Sequence, residues 1–143
     1  MARKRVIELT ADSTLSKNQS GSLIVFNAVA GIVATLPTGS RGLNYDFIVR
    51  TAQESGTYTI DAGSNSMEGW VIVASGSGAN LVDNIIVHYS TDLTARVASM
   101  ASASSGGLIG SRLKVLCDED GVWHIEGIAV GNAGAATSPL GAA

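Results

Sequence analysis

Two histidines, one cysteine and an acidic tetrapeptide are the residues of this 143-residue chain whose types could do chemistry. A zinc centre needs three or four converging ligands. His88 and His124 each sit in a strand-like run with neither the cysteine nor the other histidine at ligand spacing. Both read as sheet histidines, with His88 the less exposed because it lies inside an apolar run. Asp118-Glu119-Asp120-Gly121 gathers carboxylates, but it lacks the Asp-x-Asp-x-Asp alternation and terminal glutamate of a calcium loop. Asp and Gly are also what a type I turn with a glycine bulge demands, and the tetrapeptide is read as that turn. Asp61, Glu68 and Asp83 are scattered, and nothing in the sequence pairs them as acid and base across a cleft. Ser75-Gly76-Ser77-Gly78 and Ser104-Ser105-Gly106-Gly107 lack the Gly-Lys-Ser/Thr ending that cradles phosphate, and no Gly-x-Ser-x-Gly elbow occurs. Cys117 would be a nucleophile only with a histidine beside it, and the hairpin register derived below turns His124 to the opposite face. The thiol is therefore read as a buried core group. No catalytic, metal or cofactor residue is expected, and the chain is not expected to be an enzyme.

The elements that must position these residues are short strands. Leu23–Asn27, Ile32–Leu36 and Tyr45–Arg50 are apolar runs separated by Ala-Gly, Pro-Thr-Gly-Ser and Gly-Leu-Asn, the rhythm of an antiparallel meander. Thr57–Asp61 alternates strictly, and Trp70–Ala74 reads as another strand. Ser75–Asn80 is a turn, and Ile85–Tyr89 is a continuous apolar run suited to a strand covered on both sides. In Val97–Gly107 the serines compete for backbone hydrogen bonds and the closing Gly-Gly dissolves a helix end, so a loop is expected.

Arg112–Cys117 and Val122–Ile128 form a hairpin. A three-residue loop Glu119–Gly121, with Gly121 left-handed, sets Cys117 against Trp123, Val115 against Ile125 and Lys114 against Glu126. Every pair then matches in polarity; a four-residue loop would set Val115 against His124 and mix the faces. Leu113, Val115, Cys117, Trp123 and Ile125 are assigned to the core. No helical apolar stripe persists over three turns. The expected fold is all-β: a single antiparallel β-sandwich or barrel-like domain over residues 11–130, with an extended N-terminal arm (1–10), its segment Ala2–Leu9 reading as an extended arm or an edge strand, and a flexible C-terminal tail (131–143).

Composition narrows the partners. Charged residues are 15% of the chain, against about a quarter in an ordinary soluble domain, which suits a surface covered by neighbours in an oligomer or larger assembly. Arg3, Lys4 and Arg5 make the N-terminal tip basic, whereas the net charge is −3. With no basic stripe interleaved with aromatics, no nucleic-acid partner is expected. The longest apolar stretch, Leu23–Leu36, contains Asn27 and Gly31 and falls short of the ~20 residues of a bilayer span, so no membrane partner is expected. Glu8 breaks any signal-peptide core, and cytoplasmic synthesis is expected.

LIVFNAVAGIVATLPTGSRGLNYDFIV and the closing GSRLKVLCDEDGVWHIEG resemble small β-rich virion proteins of tailed bacteriophages, the likeness covering Thr10–Val130. Many of these are head decoration or cement proteins, and others are modules of tail fibres. Cys117 and the Ala-Ser segment Val97–Gly107 depart from the pattern. The resemblance implies a virion structural protein on the capsid exterior that binds the major capsid protein as a symmetric oligomer, a homotrimer. In that picture Ala2–Leu9 reaches onto the shell: Arg3, Lys4 and Arg5 meet acidic surface while Val6, Ile7 and Leu9 supply strand addition and apolar contact. The alternative it implies is a tail-fibre or receptor-binding module, in which loops such as Ser75–Asn80 recognise a host surface glycan; the sequence is poor in the aromatic platforms a sugar site uses, with only Trp70 and Tyr89 to begin one.

Overall fold

Alternation of apolar and polar residues sorts this chain into two layers of β-strand. A computed structural model describes residues 3–75, 84–90, 95–101, 105–132 and 137–142. The strands are β1 (Val6–Leu9), β2 (Ser13–Thr14), β3 (Leu23–Phe26), β4 (Ile32–Thr35), β5 (Asn44–Val49) and β6 (Tyr58–Asp61). They continue with β7 (Ser66–Ser75), β8 (Asn84–Ser90), β9 (Val97–Met100), β10 (Arg112–Glu119), β11 (Val122–Gly131) and β12 (Leu140–Gly141). A seven-stranded sheet runs β1-β3-β5-β10-β11-β7-β8, and a five-stranded sheet runs β12-β9-β6-β4-β2. The fold is an all-β sandwich, as its periodicity implies.

The core lies between the layers. On β10 the buried residues are Leu113, Val115 and Cys117, with Arg112, Lys114 and Leu116 turned outward. Trp123, Ile125 and Ala129 repeat this on β11. Phe26 of the larger sheet stacks on Tyr58 of the smaller one with centroids 4.7 Å apart, and Phe47 adds a second ring to Phe26 at 5.6 Å. Such ring pairs add roughly 0.5–1.5 kcal/mol beyond the area they bury.

Strand direction departs from the expected meander, and the sheets are mixed rather than purely antiparallel. β3 and β4 fall in different sheets; β3 pairs parallel with β5, and β4 parallel with β6. β1 pairs parallel with β3, and β2 with β4. Over β1–β6 the chain thus winds from one layer to the other and back, so every second strand returns in the same direction. Gly31 permits the crossing: a Cβ there would lie 2.6 Å from the backbone N and O of Thr57. Period-two patterning fixes which residues face inward and leaves direction open.

One open expectation is decided and two change. Of the extended arm and the edge strand open for Ala2–Leu9, residues 6–9 take the edge strand: Val6–Leu9 pairs with Leu23–Phe26, and Leu9, 5% exposed, is part of the core. The tail is not wholly free, since Leu140 and Gly141 pair antiparallel with Ala98 and Val97, and Leu140 packs on the core. The cause is the one large apolar side chain in that Gly-Ala segment. Val97–Met100 is a strand rather than a loop, because Ala98 and Met100 alternate inward; alanine is too small to advertise that period.

The hairpin register holds at all three expected pairs, Cys117 with Trp123, Val115 with Ile125 and Lys114 with Glu126. Gly121 is left-handed with φ 83°. Glu119 additionally pairs with Val122, and the irregularity sits between Cys117 and Glu119. The turn therefore closes tighter than the expected three-residue loop.

Candidate interaction surface

The outward face of the larger sheet changes character from one end to the other. Inward Val71 and Val73 on β7 leave Trp70, Ile72 and Ala74 pointing away from the core. The antiparallel β7–β8 register then sets Tyr89 beside Trp70, Val87 beside Ile72 and Ile85 beside Ala74. The parallel β11–β7 register adds Ile128 beside Ile72 and Val130 beside Ala74. Exposure is 68% for Ile85, 54% for Val87, 74% for Tyr89, 41% for Trp70 and 47% for Ile128. Single exposed apolar residues are ordinary, but a contiguous patch of them marks an interaction surface. Ile85–Tyr89, expected to be covered on both sides, instead forms the last strand of the sheet with its outward side chains open.

Moving along the same face toward β5, charges replace the apolar side chains. Glu126 lies beside Trp70, Lys114 beside Glu126, and Asp46 beside Lys114. Arg112 follows Ile128 in the neighbouring row. Between these rows a groove of about 740 Å3 is bounded by Trp70, Ile128, Arg112, Lys114, Glu126 and Asp46. Gly127 lets β10 and β11 approach beneath it: a Cβ there would fall 2.2 Å from the Arg112 carbonyl oxygen and 2.8 Å from Leu113 Cα, so no side chain fits.

Residues singled out in the sequence take distinct places. Lys4 forms an ion pair with Asp46 and borders the groove. Arg5 Nη1 donates to the Asn18 carbonyl at 3.3 Å. Arg3 and Val6 are exposed, Ile7 is half-buried and Leu9 is buried. The six arm residues thus do not form one free contact surface. The glycan loop proposed at Ser75–Asn80 lies outside the described residues beyond Ser75.

His124 has company that its sequence neighbours do not reveal. Its Nε2 lies 2.7 Å from Glu68 Oε1 and 3.3 Å from Asp118 Oδ2. The parallel register that sets His124 against Glu68 joins strands more than fifty positions apart, which no local pattern announces. These contacts tie β7, β10 and β11 together. No group of three or more His, Cys, Asp or Glu able to hold a metal ion occurs among the described residues. Cys117 is fully buried, and its Sγ donates to the Glu119 carbonyl at 3.1 Å. Burial pushes the thiol above its ordinary range, with Asp120 adding in the same direction, so it stays protonated at neutral pH. A thiol in that state is a poor nucleophile.

Among the described residues no helix is long and apolar enough to cross a membrane. Comparison with family models, with curated proteins and with solved structures gives no match to this chain.

Proposed function

We propose that this chain is a bacteriophage virion structural protein that decorates the capsid exterior as an oligomer, binding the major capsid protein rather than acting as an enzyme. The observation that carries the reading is the contiguous apolar stripe of Trp70, Val87, Tyr89 and Ile128 around half-buried Ile72, exposed among the described residues. Covering apolar surface stabilises by roughly 25 cal/mol per Å2, so many copies making modest contacts would reinforce a shell. The likeness of Thr10–Val130 to virion β proteins supplies the identity of the partner, and the low charge density is consistent with it.

In this reading the stripe takes over the contact first assigned to the N-terminal arm, whose Lys4 is engaged by Asp46 and whose Leu9 is buried. The test is to mix the purified chain with undecorated capsids, sediment them and count copies per shell. Hundreds of copies are expected, with Trp70→Ser and Ile128→Ser together abolishing co-sedimentation. Free protein left wholly in the supernatant would overturn decoration.

A second reading has an observation of its own. Trp70 and Tyr89 are cross-strand neighbours beside a groove lined by Glu126, Lys114 and Asp46. Aromatic faces next to hydrogen-bonding groups suit a sugar ring. Saturable binding to host cells or their glycans, without capsid binding, would favour the tail-fibre or receptor-binding role.

A further inference from the structure

We infer that β8 is completed by the β8 of a second copy, the two strands running antiparallel across a two-fold axis at Val87, so that one sheet continues through both subunits. The inference deepens the oligomeric reading above and rests on it only for the existence of an oligomer.

β8 ends the seven-stranded sheet, and among the described residues only β7 pairs with it. A strand edge facing water is normally blunted by charge, proline or a bulge, because its open row of N–H and C=O groups otherwise captures other chains. Asn84–Ser90 contains no charged residue and no proline, and its register with β7 runs unbroken from Ser75 opposite Asn84 to Gly69 opposite Ser90. The opposite edge, β1, does carry such a guard in Glu8.

The side-chain order is self-complementary about Val87. Antiparallel pairing centred there sets Val87 against itself, Ile85 against Tyr89 and Ile86 against His88. The outward apolar residues meet one another, and an aromatic meets a β-branched side chain. Shifting the register by one residue would change the face on which each pair meets. Shifting it by two would leave part of the apolar run unpaired. Because a two-fold contact brings the same patch to itself, any charge near the axis would face its own copy; the patch has none.

Area sets the strength. The exposed parts of Ile85, Ile86, Val87 and Tyr89 amount to on the order of 400–500 Å2 per copy, given full side-chain areas near 150–250 Å2. Edge-to-edge pairing leaves the outer faces of these side chains open, so each copy buries only part of that area, less than the roughly 800 Å2 per partner of a standard interface, and the backbone ladder makes a weak, dissociable dimer. Pairing also extends the row Ile128–Ile72–Val87 into its counterpart, giving an apolar strip of six side chains roughly 24 Å long at about 4.8 Å per strand.

The test needs only the intact chain and point variants. Sedimentation equilibrium of the parent protein should show a concentration-dependent dimer. Val87→Cys should form an intermolecular disulfide under mild oxidation. Ile85→Cys and Tyr89→Cys should each fail to link alone and should link when mixed. The parent, whose Cys117 is buried, should not link. Val87→Lys, which sets two ammonium groups across the axis, should weaken the dimer at least a hundredfold. Val87 is exposed, so these variants should keep the parent circular dichroism, and the parent's own mass is informative without them. A parent that stays monomeric up to about 100 µM, a trimer, or linkage of Ile85→Cys alone would overturn the inference. Dimers that ignore capsids would sink decoration and leave the two-fold standing; monomers that bind capsids would do the reverse.

Discussion

The two ends of the seven-stranded sheet are finished differently. At β1 the Glu8 carboxylate lies 3.0 Å from Arg50 Nη1 and accepts from Asn27 Nδ2 at 2.7 Å, while Lys4 pairs with Asp46 and Arg5 reaches Asn18. At β8 the residues Asn84–Ser90 carry no charge, and Ile85, Val87 and Tyr89 stand open. Glu8, Arg50, Lys4 and Asp46 thus set paired charge at and beside one edge, while no Asp, Glu, Lys or Arg lies within β8. Charge therefore guards the edge that meets water, and its absence at the other marks where a neighbour belongs.

Deleting residues 2–9 breaks this comparison most severely. Leu9 is a core residue, and truncating a buried leucine costs about 2–5 kcal/mol; loss of the β1–β3 ladder exposes the edge of β3 as well. Urea unfolding should show a loss above about 3 kcal/mol, whereas Arg3→Ala, Lys4→Ala and Arg5→Ala combined should cost less than about 1 kcal/mol. A deletion variant as stable as the parent would restore β1 to the status of a free arm.

Alkaline pH tests the interior that both edges enclose. Burial raises the Tyr45 hydroxyl and the Cys117 thiol above their ordinary values, the latter also through Asp120. Both groups are neutral when protonated, so their contribution is fully present below the unfolded-state values and is lost as pH rises toward the raised ones. Stability should be level near pH 7–8 and fall as pH climbs past the ordinary thiol range of about 8.5 and then the tyrosine range of about 10. Urea midpoints measured across this window check it. Cys117→Ala should remove the first part of the decline, and an unchanged profile would show that the thiol does not contribute.

How much of this was legible depended on distance along the chain. The pairs Cys117–Trp123 and Val115–Ile125 were readable because a hairpin and a period of two are local. The layering of Leu23–Phe26 and Ile32–Thr35 was not, since each reads as an inward-facing strand whichever sheet receives it. Leu140 docks through a single side chain, and β1 through Ile7 and Leu9 alone, too little to establish a period. Trp70 and Tyr89 were visible as aromatics, but their adjacency follows from the β7–β8 register, and the Glu68–His124 contact follows from a parallel pairing. The uncharged run IIVHY was the plainest signal of all; burial within one chain was the wrong explanation for it.

Neighbouring positions on β7 sharpen the contrast between the two faces. Val71 is fully buried and Trp70 is half open. Val71→Ala should cost about 1–3 kcal/mol through lost burial and a small cavity, with capsid binding per folded molecule unchanged. Trp70→Ala should cost less than about 1 kcal/mol and lose that binding. Equal losses of stability at the two sites would mean that Trp70 belongs to the core and not to the stripe.

The smallest expected effect is also the most direct probe of the guarded edge. Glu8→Gln keeps the size of the side chain and an acceptor for Asn27 but removes the charge opposite Arg50. Both partners of that pair are about half exposed, so the change in stability should stay within roughly 0.5 kcal/mol. It should vanish in 1 M salt, where the screening length falls to about 3 Å. The larger consequence should be colloidal. Without its charge β1 resembles β8, and light scattering should detect added self-association of the variant at low salt, independent of Val87→Lys in the same chain. A loss of several kcal/mol that salt does not touch would instead make Glu8 a structural post, and charge would no longer be what separates the two edges.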